Sequence, residues 1–389
     1  MAKMTLKDLS LEGKKVLMRV DFNVPMKEGE IGDDTRIKGA LPSIQYILNH
    51  GGALILMSHM GRPKGTKEKE LSLAPCATRL SQLLNRPVQM ATDCIGSQVK
   101  EMVAHLQSGQ VLLLENLRYH LAEEKPELDP TFAAKLAELG DCFINDAFGS
   151  AHRSHSSTAL ITKYFPDQAA MGFLLEKEIQ ALSTLTHPNR PFSAIIGGAK
   201  IKGKIGVLRK LIEVVDELYI GGGMAFTFLK AKGVEIGNSL CEDAQVALDI
   251  LKIAPNKIHL PLDIVIAKEQ EVKTVDLSKG IPPQWQGMDI GPKTVADWSQ
   301  KLRNSATIFW NGPVGVFETP QFAEGTRAIA DALANSSAKV IVGGGDTVAA
   351  VQQMGFGAKM DHLSTGGGAS LEFIELGHLP GIDALTDIN

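Results

Sequence analysis

Short apolar runs that are almost continuous, rather than alternating with polar residues, recur along the whole chain and restrict its fold more than any other feature. "KKVLMRVDF", "ALILMS", "QVLLLEN" and "DCFINDAF" stand in the first half, and "PFSAIIGG", "ELYIGGG", "KIHLPLDIVIA", "ATIFWNGP" and "AKVIVGGG" in the second. A strand with one face in water alternates, whereas a strand covered on both faces need not, so these runs suit the interior of a parallel sheet. Between them lie stretches of helical period such as "IKGALPSIQYILNHG", "LSLAPCATRLSQLL" and "DPTFAAKLAELG". Strand and helix in alternation predict a doubly wound α/β architecture.

At 389 residues the chain is too long for one ordinary core. "GFLLEKEIQALSTLTHPNRP" separates the halves, with Leu174, Leu175, Ile179 and Leu182 at helical spacing and Pro188 and Pro191 ending the pattern. It reads as a linking helix. The expectation is two doubly wound parallel-sheet (Rossmann-like) domains, residues 1–172 and 173–375, joined by that helix and a hinge, with a C-terminal tail over 376–389.

A net charge of −4 argues against a general nucleic-acid binder or a basic membrane-surface protein. The start has no apolar h-region, and no stretch approaches the eighteen apolar residues of a membrane span, so a cytoplasmic protein is expected. Cys76, Cys94, Cys142 and Cys241 form no C-x-x-C pair and read as reduced thiols. "HRSH", with His152 and His155, lacks a third ligand nearby, which makes zinc an unfavoured reading.

Ligands of open α/β sheets bind beyond the carboxyl ends of the strands, so the residues after each run are the candidates. In the first half these are mostly arginines: Arg36 after "VLMRVDFNVP", His59 and Arg62 in "SHMGRP", Arg118 after "VLLLENL", and Arg153 in "SAHRSH". One such arginine is ordinarily a solvated surface residue. Four at equivalent topological positions, in a chain of net negative charge, point to a small polyanion, because the guanidinium fork matches phosphate and carboxylate. Asp21 and Asn23 can accept hydrogen bonds from a substrate hydroxyl.

In the second half the runs end in glycine: Gly197–Gly198, Gly221–Gly223, Gly343–Gly345, and Gly366–Gly368 before "ASLEFIEL". Any one cluster can be a tight strand-to-helix turn, but four on one inferred rim favour phosphate bound by backbone N–H groups. "GGGDTV" and "GGGASL" fail the dinucleotide fingerprint at Val348 and Leu371. "GGAKIKGKIG" almost spells a phosphate loop, yet Ile205 replaces the metal-binding hydroxyl. Asp346 can hold Mg²⁺ through nucleotide phosphates instead, while Lys200 and Lys204 supply positive charge. Two phosphorylated ligands meeting across a cleft suit phosphoryl transfer, which needs in-line positioning, charge neutralisation and exclusion of water.

Taken in order, "RVDFNVP", "SHMGRP", "LLENLRYH", "NDAFGSAHRSHSS", "GGAKIKGK", "GGGMAFTFL", "NGPVGVFE", "GGGDT" and "STGGGASLE" resemble the motifs of phosphoglycerate kinases over essentially the whole chain. The resemblance implies reversible glycolytic phosphoryl transfer between MgATP and the carboxylate of 3-phosphoglycerate, giving 1,3-bisphosphoglycerate and MgADP. By that resemblance Asp21, Asn23, Arg36, His59, Met60, Gly61, Arg62, Arg118 and Arg153 would bind 3-phosphoglycerate. Lys204, Asn311, Glu318, Gly344, Gly345, Asp346 and Thr347 would bind the nucleotide, with Glu318 on the ribose and Asp346 serving Mg²⁺. Arg36 and Lys200 would close on the transferring group, and Gly367 and Gly368 would offer it backbone N–H groups. The tail would return to the first domain, and the protein would be a monomer acting on small molecules, without nucleic-acid or membrane partners.

Met60 stands where many members carry leucine, a volume-conserving exchange. The acceptor carboxylate is ionised at neutral pH and needs no general base, so His59 reads as a hydrogen-bonding residue rather than a base. Two other classes were compatible with such sheets. An NAD-dependent dehydrogenase lacks its fingerprint here, and a non-catalytic two-lobed anion binder leaves Lys200 and Asp346 without purpose.

Overall fold

The computed structural model describes residues 2–388. Its contacts divide the chain into two units, one running to Gln180 and resuming at His378, the other Ala181–Gly377. In the first unit, strands β1 (Lys15–Val20), β2 (Ala53–Met57), β3 (Val88–Met90), β4 (Val111–Leu113), β5 (Cys142–Asp146) and β6 (Ala169–Met171) form one sheet in the order 3-4-2-1-5-6. Every pairing is parallel. The helices are α1 (Thr35–Asn49), α2 (Ala74–Leu84), α3 (Ser97–His105), α4 (Phe132–Ala137) and α5 (Phe173–Ser183), the last of which crosses the division, together with a single turn, Pro380–Asp383, in the returning segment.

The continuous apolar runs follow from burial on both faces. Val16, Met18, Leu54, Leu56, Val111, Leu113 and Ile144 pack with Ile37, Ile44 and Ile47 of α1 and Cys76 and Leu80 of α2. The residues between them, Leu17, Ile55, Leu112 and Phe143, are fully buried as well. The end of the chain joins this unit, where Asp387–Ile388 pairs antiparallel with Ala2–Lys3 and Asn145 Nδ2 donates to Gly381 O at 2.9 Å.

In the second unit, β7 (Phe192–Ile196), β8 (Glu217–Ile220), β9 (Ile258–His259), β13 (Thr307–Asn311), β14 (Lys339–Gly343) and β15 (His362–Leu363) form a parallel sheet in the order 9-8-7-13-14-15. A separate antiparallel sheet holds β10 (Asp263–Lys268) between β11 (Glu271–Asp276) and β12 (Gln286–Ile290). The helices are α6 (Ile205–Val214), α7 (Met224–Ala231), α8 (Ala244–Ile253), α9 (Pro292–Leu302), α10 (Glu324–Ala334), α11 (Gly345–Gln353) and α12 (Gly368–Leu376). Among the described residues, no helix is long and apolar enough to cross a membrane.

The two parallel sheets agree with the expected fold class, and two details differ. "KIHLPLDIVIA" is not one strand: Ile258–His259 joins the parallel sheet and Asp263–Lys268 the antiparallel one, with Pro261, which has no N–H to donate, at the break. Strands β3, β6, β11, β12 and β15 have no counterpart among the sequence runs. β3, β6 and β15 are edge strands of two or three residues, too short to leave a periodic signal, while β11 and β12 flank β10 in the antiparallel sheet, with β11 largely exposed and so without an apolar run.

Asp146 ends β5 fully buried, and its Oδ1 accepts the Leu175 N–H at 3.0 Å in the first turn of α5. A Cβ on Gly172 would fall 2.3 Å from this carboxyl group, which explains the glycine. Burial raises the Asp146 carboxyl to about 7, against 3.8 for the free group. The folded chain therefore binds a proton between these values that the unfolded chain does not, and stability from this group grows as pH falls through 7 and is lost as pH rises through it. We expect the stability of the protein relative to Asp146→Asn to increase by on the order of 1–2 kcal/mol from pH 8 to pH 5. Parallel melting curves of the two proteins across that range would contradict the assignment.

Candidate active site

In the first unit the parallel register brings the carboxyl ends of β1, β2, β4 and β5 to one edge, and most of the candidate residues follow them. Arg36, in the first turn of α1, pairs through Nη1 with Asp21 Oδ2 at 2.7 Å. Asn23 Oδ1 accepts the Gly61 N–H at 2.9 Å, while Gly61 O accepts Arg118 Nη1 at 2.7 Å. Arg118 Nη2 pairs with Glu124 at 2.9 Å, and its buried Nε has no partner among the described residues. Burial lowers the Arg118 pKa, opposed by Glu124 and Glu123 and reinforced by neighbouring Arg62. Arg62 and Arg153 stand exposed. The Met60 side chain lies in the core, and both its backbone groups bond Asn116.

Beneath this rim lies a buried group that loop-by-loop reading misses. Arg19, inside β1, is 1% exposed. Its Nε donates to Ser157 Oγ at 2.9 Å, and Ser157 Oγ donates in turn to Glu123 Oε1 at 2.6 Å. Glu123 is itself fully buried, 4.0 Å from Arg19 Nη2. Arg19 Nη2 also meets His59 Nδ1 at 3.0 Å. Guanidinium only donates, so Nδ1 accepts and the His59 proton sits on Nε2. Burial, then Arg19, Arg118 and Arg36, push the His59 pKa well down, and burial, then Arg19, Arg118 and Arg153, bring His155 to about 3. Both are neutral donors in a cationic setting. The signal for Arg19 was present, as the one charged residue inside "VLMRV".

In the second unit the glycines divide into two kinds. A Cβ on Gly197 would lie 2.2 Å from Pro313 O, and one on Gly222 2.6 Å from Gly198 N. These loops pack backbone to backbone, with Gly198 N–H on Pro313 O at 3.0 Å and Gly222 N–H on Val314 O at 3.1 Å. Gly345, Gly367 and Gly368 have nothing within 4 Å of such a Cβ, so the amino ends of α11 and α12 remain open. A cavity of about 280 Å³ adjoins the amino end of α11, lined by Gly198, Ala199, Leu240, Val316, Glu318 and Asp346 among others.

Lys204 Nζ donates to Gly197 O at 2.7 Å and Asn311 Oδ1 at 2.8 Å. That fixes the Asn311 amide and leaves its buried Nδ2 as a donor with no partner among the described residues, beside Gly344. Burial lowers Lys204 to about 8, with Asp346 opposing. Thr347 spends its hydroxyl on the Gly312 N–H at 2.6 Å. Lys200 and Asp346 are exposed. The orphan amide, the open glycines and an accessible carboxylate fit a polyphosphate carrying a divalent cation. The one His/Cys/Asp cluster among the described residues, Asp93–Cys94–His120, is saturated: Asp93 bonds His120 at 2.6 Å and Lys67 at 2.9 Å.

Comparison with known proteins agrees over the full length. The family profile described as phosphoglycerate kinase matches residues 6–376. The chain belongs to the phosphoglycerate kinase family. It is 52% identical over 396 residues to a phosphoglycerate kinase of Moorella thermoacetica, covering 100% of both chains, and 51% identical to one of Chlamydia pneumoniae, covering 99% of both. Among solved structures it is similar to phosphoglycerate kinase from Coxiella burnetii, at 40% identity, and from Pyrococcus horikoshii, at 35%. Each has a TM-score of 0.88 and covers 98% of both chains. The chain is thus a kinase of that family, with the buried Arg19–Glu123 pair under its arginine rim. Removing one partner of a buried pair leaves a stranded charge, so Glu123→Ala should cost roughly 3–5 kcal/mol in urea denaturation. A loss under about 1 kcal/mol would mean that Arg19 does not depend on Glu123.

Proposed function

We propose that the protein transfers the γ-phosphoryl group of MgATP to the carboxylate of 3-phosphoglycerate, reversibly, as a glycolytic enzyme of the cytoplasm acting as a monomer. What supports this reading most is the chemical contrast between the rims. One holds the pre-bonded guanidinium groups of Arg36 and Arg118, and the other is a cavity that Asp346 lines at the amino end of α11, next to the uncrowded Gly345.

In this reading Arg36, Arg62, Arg118 and Arg153 hold the substrate phosphate and carboxylate. Asp21 and Asn23 accept from its hydroxyl, and neutral His59 donates from Nε2. The Arg118 Nε, buried without a partner, gains one when the anion arrives. On the other unit, Leu240 and Val316 cover the base, Glu318 takes the ribose, and Gly344–Thr347 with Asn311 Nδ2 and Lys204 take the phosphates. The cation carried by the nucleotide neutralises phosphate charge, and Asp346 is placed to ligate it.

The acceptor carboxylate is ionised near neutral pH, so the enzyme supplies position and charge rather than proton transfer. Closure of one unit on the other about the α5 region would bring Arg36 and Lys200 to the transferring group and exclude water. Gly367 and Gly368 would offer it their N–H groups.

The direct test is phosphorylation of 3-phosphoglycerate by MgATP, coupled to NADH oxidation through glyceraldehyde-3-phosphate dehydrogenase. Activity should require Mg²⁺, and Lys200→Ala should lower kcat by roughly 10²–10³ with little change in the KM for ATP. A raised KM with kcat intact would assign Lys200 to ground-state binding, and a folded, ligand-binding protein without turnover would refute the activity. Lys204 adds a pH signature. Above about 8 the unliganded side chain loses its charge, so nucleotide binding must take up a proton and weaken as pH rises. The Kd for MgADP by calorimetry should increase from pH 8 to 9.5 in the native protein and stay flat in Lys204→Arg.

A further inference from the structure

Lys200 stands on a loop whose backbone is held by a residue from a different part of the chain. After β7 the loop turns through Lys202–Lys204 into α6, and neither that turn nor α6 has a side-chain cap of its own. The first amides of a helix need acceptors from elsewhere. Glu242 provides one: its Oε2 accepts the Ile201 N–H in a short hydrogen bond and the Lys202 N–H at 3.1 Å. Ile201 is 2% exposed, while Lys200 and Lys202 on either side face solvent. A buried side chain and a bonded amide at Ile201 together fix the peptide unit that follows Lys200, and with it the direction from which the ammonium leaves the backbone.

Glu242 is braced in turn. Its own N–H donates to Thr227 Oγ1 of α7 at 3.1 Å, and the next residue, Asp243, caps α8 through the Gln245 N–H at 2.9 Å. Two residues before Glu242, Leu240 forms part of the wall of the cavity assigned above to the nucleotide. Leu240 also lies 3.1 Å from where a Cβ on Gly223 would be, and Ala199, on the Lys200 loop, lies at the same distance. The segment Leu240–Asp243 thus touches the nucleotide cavity at one end and the Lys200 loop at the other.

We propose that Glu242 is a positioning residue for phosphoryl transfer, holding the 199–204 loop so that Lys200 is aimed at the transferring group. The inference rests on the catalytic reading of Lys200. It requires no contact between Glu242 and either substrate. Its carboxylate acts on two backbone amides, and misplacing a reacting group by about 1 Å can cost on the order of 10²-fold in rate.

The test is a double-mutant cycle on the full chain, with kcat, both KM values and the calorimetric Kd for MgADP measured for Glu242→Ala, Glu242→Gln, Lys200→Ala and Lys200→Ala/Glu242→Ala. Glu242→Ala should lose roughly 10–100-fold in kcat with KM and Kd within about threefold of the native protein. Glu242→Gln keeps an acceptor oxygen and should recover most of that loss. With Lys200 absent there is nothing left to aim, so the double variant should be no slower than Lys200→Ala. If Glu242→Ala retains native kcat while Lys200→Ala does not, the proposal fails and the reading of Lys200 stands. Multiplicative losses in the double variant, or a Glu242→Ala defect seen equally in kcat and Kd, would make Glu242 a general structural residue and overturn the proposal. Native kcat in Lys200→Ala would overturn both. Should Glu242→Ala melt below the assay temperature, Glu242→Gln and its double variant with Lys200→Ala carry the same comparison.

Discussion

Parallel pairing in fixed register is the constraint on which both candidate sites depend. Arg19 of β1 lies opposite Met57 of β2 and Asn145 of β5, and Asn311 of β13 lies opposite Ile196 of β7 and Gly343 of β14. Because the strands run the same way, whatever follows each of them emerges at the same edge. Residues far apart in sequence, such as Asn23, Gly61 and Arg118, can then form one hydrogen-bonded set. A one-residue slip in any strand would send its apolar side chains to the opposite face and displace the loop beyond it. The core that buries the strands therefore also sets the geometry of the rims.

In the proposed function the two rims would bind anions by different physics. In the first unit, the Arg36 and Arg118 guanidinium groups are locked before any ligand arrives by Asp21, Gly61 O and Glu124, and the buried Arg19–Ser157–Glu123 relay holds His59 through its Nδ1. Such preorganisation keeps the cations in place without reorganisation at the moment of reaction. Burial, reinforced by these cations, suppresses protonation of His59 and His155 and keeps the imidazoles from adding further charge to the rim. In the second unit the donors are mostly backbone amides at helix amino ends, where the absence of a Cβ at Gly345, Gly367 and Gly368 leaves room for close approach. Guanidinium forks suit a small, fixed polyanion, and a curved row of amides suits a flexible polyphosphate.

The glycine clusters look alike in sequence and do different things in the fold. Gly197, Gly222 and Gly312 are needed because three loops touch through their backbones, where any side chain would collide with a carbonyl or an amide. Gly367 instead has open space around it and a φ of +50°, a conformation that L side chains rarely adopt. Lys204 belongs to both roles, since its ammonium ties Gly197 O to Asn311 and also stands beside Asp346 at the cavity. In the proposed function, Lys204 would thus combine structural support with ligand contact, whereas Glu242 only supports.

By itself the sequence determined the fold class and the identity of most candidate residues. The reason is that near-continuous apolar runs are compatible with few architectures, and strand ends in a parallel sheet announce where ligands bind. It left the edge strands β3, β6 and β15 unmarked, because two or three residues carry no period, and β11 and β12 unmarked, because neither is a continuous apolar run; it joined β9 to β10, because apolar content does not show which sheet a strand enters. Only the tertiary structure decided which polar residues are buried. Arg19 was legible as a charge inside an apolar run, but its partners Ser157 and Glu123 lie 138 and 104 positions away, and nothing local in sequence connects them. The same holds for Glu242 and the amides of Ile201 and Lys202. Local pattern reports what a residue does to its own strand or helix, whereas hydrogen bonds between loops depend on where the register brings their ends.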